Sequence, residues 1–93
     1  ETVLARRPDY PYLLTYLALA LRRTGRPAEA EARYGQALAR DPEHLPALAY
    51  QGVLYLETGR RGMAEANLRR LEALCPAICP ERDDLAREIA IRR

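Results

Sequence analysis

Residues 24–32 read TGRPAEAEA, and residues 58–66 read TGRRGMAEA. The two stretches lie 34 residues apart and share their Thr-Gly-Arg opening and their Ala-Glu-Ala ending. A fixed period of this length is typical of stacked helix–turn–helix units, because one helical hairpin cannot bury its apolar face without a neighbour. The repetition therefore predicts an all-helical repeat protein.

The same period relates residues outside these two stretches. Further identical pairs are Leu14/Leu48, Tyr16/Tyr50, Ala39/Ala73 and Pro42/Pro76. Pro8 precedes Pro42 by the same interval, so residues 1–10 are interpreted as the tail of a preceding, truncated repeat, with further sequence expected upstream. The first whole repeat is predicted over residues 11–44 and the second over residues 45–78.

Each repeat has the apolar periodicity of two helices. In the first repeat, the inner faces of the two helices are predicted to carry Leu14, Leu17, Ala18 and Leu21, then Ala30, Tyr34, Ala37 and Leu38. Gly25 supplies the left-handed conformation that ends a helix, and Pro27 suits the first turn of the next one. The second repeat follows the same plan, and small residues such as Gly52 would let neighbouring helices approach closely.

This pattern resembles the tetratricopeptide repeat family, in which Leu, Gly or Ala, and Tyr recur on the first helix and Ala, an aromatic residue, Ala and Pro on the second. The matching positions are Leu14, Leu17, Ala18, Leu21, Ala30, Tyr34, Ala37 and Pro42, then Leu48, Gly52, Tyr55, Ala64, Leu68 and Pro76. Gln51 and Leu71 depart from the pattern. The resemblance implies an all-α superhelix of antiparallel hairpins, whose first helices line a concave groove.

Residues 79–93 follow the second repeat and contain one more helical pattern. Leu85, Ala86 and Ile89 keep the spacing of a first helix. The acidic residues Glu81 and Asp83 suit a helix N-terminus, where the helix dipole favours negative charge. We therefore predict a C-terminal capping helix with a polar outer face, which a repeat array needs for solubility.

The resemblance also implies which side chains face the groove. Carried over position by position, they are Tyr12, Thr15, Tyr16, Leu19, Arg22 and Arg23, then Ala49, Tyr50, Val53, Leu56 and Glu57. Family members that clamp a carboxylate use Lys and Asn, whereas the matching positions here hold Thr15, Leu19 and Tyr50. An apolar groove rimmed by Tyr favours an amphipathic helix or an extended apolar segment of a partner. The alternative is that the groove is filled by the chain itself, by its upstream segment or by a second copy of the chain.

The composition argues against several other classes of protein. The 15 basic residues are all Arg, they are interleaved with 13 acidic residues, and the net charge is only +2, so no nucleic-acid partner is expected. No apolar run reaches the roughly 18 residues that a membrane span needs. The chain lacks Ser, and its one histidine, His44, is interpreted as a solvated turn residue. We therefore predict no enzymatic activity, no metal site and no cofactor, and the Arg- and Ala-rich composition indicates a bacterial origin.

Cys75 and Cys79 flank Pro76 between the second repeat and the capping helix. Across such a turn their Cα atoms could lie about 5–6 Å apart, which is within disulfide range. This ending is similar to that of exported bacterial repeat proteins, which favours a disulfide and a periplasmic or exported location over a cytoplasmic one. Two partly buried thiols in a cytoplasmic protein are the alternative.

The sequence as a whole favours a non-catalytic protein–protein interaction module that holds a partner protein or peptide as a scaffold or adaptor. One alternative is a self-associating or accessory subunit of a larger periplasmic or membrane-bound complex. Another is a thiol-redox or metal-carrying module that uses Cys75 and Cys79.

Overall fold

The computed structural model describes residues 10–92. They form five helices, which are α1 Tyr10–Arg23, α2 Pro27–Arg40, α3 Leu45–Glu57, α4 Arg61–Leu74 and α5 Pro80–Ile91. No strand occurs within this range. The all-α class is therefore confirmed, whereas the predicted tail over residues 1–10 lies, except for Tyr10, outside the described residues.

The chain divides into two compact units between Ala47 and Leu48. In the first unit, α1 and α2 pack against each other as a helical hairpin. Its buried residues include Leu14, Ala18, Ala30, Tyr34 and Ala37. These residues recur at three- and four-residue spacing, so each helix turns one continuous stripe toward the core. The burial of Ala30, Tyr34 and Ala37 agrees with the predicted inner face of α2, whereas Leu38, predicted on the same face, is half-buried.

The turn that ends α1 is a Schellman motif. Gly25 has a φ of 81°, in the left-handed region that favours glycine. The Arg26 N–H donates to the Leu21 carbonyl oxygen at 2.8 Å, and the Gly25 N–H donates to that of Arg22 at 3.2 Å. These bonds satisfy carbonyl groups that the end of a helix would otherwise leave unpaired.

The turn that ends α3 repeats this motif. Gly59 has a φ of 78°, the Arg60 N–H donates to the Tyr55 carbonyl oxygen at 2.7 Å, and the Gly59 N–H donates to that of Leu56 at 3.2 Å. The repeated Thr-Gly-Arg sequence therefore encodes the same helix end twice. Its hydrogen bonds span only a few residues, so the local sequence is sufficient to direct them.

The second unit contains most of α3 together with α4 and α5. Its core includes Leu54, Leu71 and Leu85, which are fully buried. Burial of each of these side chains stabilises the fold by about 1.5–3 kcal/mol. Leu85 belongs to α5 and lies against Gly52 of α3. The additional helix predicted after the second repeat is thus part of this unit's core.

Two arginines join the ends of α4 and α5. At one end, Arg61 Nη2 donates to the Ile89 carbonyl oxygen at 3.0 Å. At the other end, Arg82 Nη1 donates to the Cys75 carbonyl oxygen at 2.7 Å. Each guanidinium therefore satisfies a carbonyl group at the C-terminal end of the other helix, where the helix dipole favours positive charge. The two helices consequently run antiparallel.

Candidate interaction surface and cysteine pair

Among the described residues of the first unit, the most exposed large apolar side chains lie together on α1. Tyr12 is 46% exposed, Tyr16 is 59% exposed, and Leu13 and Leu17 are exposed to a similar degree. Residues four apart are neighbours on a helix surface, and the Tyr12 and Tyr16 ring centroids are 6.5 Å apart. We call Tyr12, Leu13, Tyr16 and Leu17 the α1 apolar face.

A buried histidine positions Tyr12. The Tyr12 and His44 rings meet edge to face, with centroids 4.4 Å apart. His44 follows a turn closed by the bond from its N–H to the Asp41 carbonyl oxygen at 3.0 Å, and its Nδ1 is 4.0 Å from Asp41 Oδ2. The prediction that His44 is a solvated turn residue is wrong, because Tyr12 and the turn exclude water from the imidazole ring.

The other groove residues predicted in the first unit differ in exposure. Thr15 is fully buried, and its hydroxyl donates to the Pro11 carbonyl oxygen at 2.8 Å, so it presents no area to a partner. Leu19 and Arg22 are half-buried, whereas Arg23 is exposed at the end of α1. The accessible area among these residues is therefore concentrated at the two tyrosines and Arg23.

The groove residues predicted in the second unit all lie on α3. Ala49 is buried, Tyr50, Val53 and Leu56 are half-buried, and Glu57 is exposed. Glu57 Oε2 lies 3.7 Å from Arg92 Nη2, just after the end of α5. Tyr50, Val53 and Leu56 thus offer smaller apolar areas than the tyrosines of α1.

Sequence reasoning missed two members of the α1 apolar face. Leu17 was predicted to lie on the packing side of α1, but it is 45% exposed, so that assignment is wrong. Leu14 and Ala18 are buried on α1, which packs on α2, so the buried stripe of α1 is narrower than predicted. Leu13 is adjacent to Tyr12 and one turn before Leu17, so a helical projection extended beyond the family positions would have found it.

Cys75 and Cys79 form a second chemically distinct site. Both are thiols in the structure; Cys75 is half-buried and Cys79 is fully buried. Cys75 Sγ lies 3.6 Å from the Ile78 carbonyl oxygen, and Cys79 Sγ lies 3.9 Å from Glu81 Oε1. Interaction with the Cys79 side chain, followed by burial, raises the pKa of Cys75. Their pairing as a disulfide stays a prediction.

Comparison with known proteins identifies the family. A family model described as tetratricopeptide repeat matches residues 21–74, which is more than half of the chain. This chain belongs to the tetratricopeptide repeat family. The matched region begins near the end of α1 and finishes with the last residue of α4. Neither the search of curated proteins nor that of solved structures gave a match.

Membership of the tetratricopeptide repeat family indicates a protein–protein interaction module, since repeat arrays expose extended surfaces for binding other proteins. Among residues 10–92, no helix has both the length and the apolar character that crossing a membrane requires. Within the same range, His, Cys, Asp and Glu side chains do not gather in groups of three or more suited to hold a metal ion.

Proposed function

We propose that this tetratricopeptide repeat chain is a non-catalytic scaffold or adaptor that binds an apolar segment of a partner protein. The α1 apolar face supplies the main contacts. Tyr50, Val53 and Leu56 of α3 supply a second, smaller set of apolar side chains on the other unit. The segment is an amphipathic helix or an extended apolar stretch, because either one matches a Tyr- and Leu-lined surface.

The observation that carries this proposal is the exposure of four large apolar side chains on one helix. Single exposed apolar residues are ordinary on protein surfaces, whereas a contiguous apolar patch marks an interaction site. Removing apolar area from water contributes about 25 cal/mol per Å², so a partner that covers these side chains gains a substantial driving force. Tyr adds a rigid ring with a polar tip that can remain at the rim.

The rim of this surface is charged. Arg23 is exposed at the end of α1, and Arg22 next to it is half-buried. Positive charge at the rim steers a partner with nearby carboxylates and selects its orientation more than it adds affinity. A partner segment with an apolar centre and an acidic flank fits this arrangement best.

A second candidate is that the same face binds another copy of this chain or a fixed neighbour in a larger complex. The α1 apolar face supports this candidate equally, because an exposed patch of this kind is an aggregation hazard unless something covers it. A periplasmic or exported location belongs to the same proposal, through the cysteine pair. Oligomeric state and partner recovery separate the two candidates.

The test is affinity capture from the native source with three versions of the protein. The wild type is compared with the Tyr16→Ala/Tyr50→Ala double variant and with Met63→Ala, a matched control that removes an exposed apolar side chain from α4. We expect one partner in stoichiometric amount, lost with the double variant and retained with the control. Circular dichroism should show unchanged helical content in all three.

Other results would contradict the proposal. Equal recovery of the partner with all three versions would place the binding surface elsewhere. A homodimer in sedimentation that dissociates in the double variant, with no second protein recovered, would select self-association. Loss of helical content in the double variant would make the two tyrosines core residues.

A further inference from the structure

The segment between α4 and α5 has a cysteine at each end, Cys75 and Cys79. Cys75 directly follows α4, and its N–H donates to the Leu71 carbonyl oxygen at 2.8 Å. Cys79 directly precedes α5, and its carbonyl oxygen accepts a bond from the Asp83 N–H at 3.0 Å. Each cysteine is therefore anchored by the end of a helix, and only three residues connect them.

We propose that Cys75 and Cys79 are a redox modification site, at which a low-molecular-weight disulfide such as oxidised glutathione converts the two thiols into a disulfide that joins α4 to α5. Cys75 Sγ already lies 3.6 Å from the carbonyl oxygen of Ile78, the residue that precedes Cys79, so the two side chains start on the same side of a short turn. The site is independent of the α1 apolar face.

The unequal exposure of the two cysteines sets the order of reaction. Cys75 is half-buried and accessible to a small disulfide, whereas Cys79 is fully buried at the start of α5. A thiolate, not a thiol, attacks a disulfide. Cys75 therefore reacts first after losing its proton, and its raised pKa makes that first step slow at neutral pH.

Oxidation of the cysteine pair takes two thiol–disulfide exchange steps. The Cys75 thiolate attacks one sulfur of the small disulfide, a mixed disulfide forms, and the other half leaves as a thiolate that takes up a proton. The Cys79 thiolate then attacks Cys75 Sγ and displaces the second half, which is also protonated. The protein loses two electrons and two protons, and the small disulfide is reduced to two thiols.

The bridge would reinforce contacts that hold α5 in the second unit. Arg82 of α5 already donates to the Cys75 carbonyl oxygen, and Leu85 of α5 fills the space beside Gly52. A disulfide at this point keeps the first turn of α5 attached even when those contacts open. Oxidation should therefore slow the local unfolding of α5 more than that of α1 or α2.

The experiment equilibrates the whole chain in buffers with different ratios of reduced to oxidised glutathione. The reaction is stopped with acid, remaining thiols are alkylated, and the products are measured by mass spectrometry. We expect one oxidised product that is two hydrogen atoms lighter than the dithiol, with both cysteines protected from alkylation. Hydrogen exchange in α5 should become slower in this product than in the dithiol, by about tenfold or more.

Two single variants complete the test. Cys75→Ala should react at least ten times more slowly than Cys79→Ala, because only the buried thiol remains. Cys79→Ala should stop at the mixed disulfide with glutathione. Accumulation of mixed disulfides on both cysteines of the wild type, or equal rates for the two variants, would overturn the proposal. Unchanged hydrogen exchange in α5 after oxidation would overturn the proposed link to that helix.

Discussion

Gly52 and Leu85 are in direct contact: a Cβ atom added to Gly52 would lie 2.7 Å from both terminal methyl groups of Leu85. Real Cβ atoms essentially never come so close to another carbon. Both residues are buried, so neither side can move into solvent. The absence of a side chain at Gly52 is therefore what allows α5 to pack on α3.

Enlarging Gly52 should destabilise the second unit. We expect Gly52→Leu to lower the free energy of unfolding by about 1–3 kcal/mol or more, as overpacking of a filled core does. Gly62→Ala is the matched control, because a Cβ there meets open space within a helix. It should leave the stability unchanged or raise it by less than about 0.5 kcal/mol, because Gly62 lies in the first turn of α4 and not in the middle of the helix. Urea denaturation measures both, and a Gly52→Leu protein with normal stability would contradict the packing of α5 on α3.

Replacing Gly59, in the turn that ends α3, by any residue with a Cβ should destabilise the protein. Gly59→Ala places alanine at a φ of 78°, which should cost about 1–2 kcal/mol because of the clash between Cβ and the backbone. Gly35→Ala is a control of identical chemistry in a helix, where no atom lies within 4 Å of the added Cβ. Thermal unfolding should show opposite shifts for the two variants. Shifts of the same sign would mean that the turn is not strained by alanine.

A polar pair compensates for one departure from the family pattern. Asn67 Nδ2 donates to Gln51 Oε1 at 2.9 Å and to the Leu48 carbonyl oxygen at 3.0 Å. Gln51 is buried, so Asn67→Ala should leave the Gln51 side-chain oxygen without this donor. The variant should lower the free energy of unfolding by about 1–3 kcal/mol. The double variant Gln51→Leu/Asn67→Leu should recover most of this loss, because both partners are then apolar. A double variant less stable than Asn67→Ala would show that the Gln51–Asn67 pair stabilises the fold by more than satisfying its own polar groups.

The reactivity of Cys75 should depend on pH in a defined direction. Interaction with the Cys79 side chain, burial, and electrostatic repulsion from Cys79 and Glu81 raise the pKa of Cys75, while Arg82 opposes them. The midpoint for alkylation of Cys75 should therefore lie above its ordinary pKa of 9.0 in the folded protein.

Two comparisons check this pH dependence. The midpoint should return toward 9.0 in urea, where the chain is unfolded, and should fall in Cys79→Ala because the largest cause is removed. The folded state binds the Cys75 proton more tightly than the unfolded state does. Stability due to this group is thus fully present below pH 9 and is lost as the pH rises through the raised pKa. A midpoint below 9.0 in the folded protein would contradict the raised pKa of Cys75.

The candidate interaction surface was only partly predictable from the sequence. Tyr12 and Tyr16 were found because they occupy recognisable positions on the first helix, and both are exposed. Thr15 was chosen by the same rule but is buried, because its hydroxyl bonds to the preceding turn of α1. Position in a repeat identifies a helix face to within about one residue, whereas exposure depends on the sizes of the neighbouring side chains.

The sequence by itself determined the helices, their order and the two Schellman turns. Those features depend on hydrogen bonds and periodicities within a few residues, so the repeated Thr-Gly-Arg stretch specifies them wherever it occurs. Only the tertiary structure decided the burial of His44, the exposure of Leu17, and the contact of Gly52 with Leu85. These three features depend on side chains that lie far apart in the sequence or on the sizes of neighbouring side chains. The repeat pattern permits many such arrangements, and close packing of the core selects one of them.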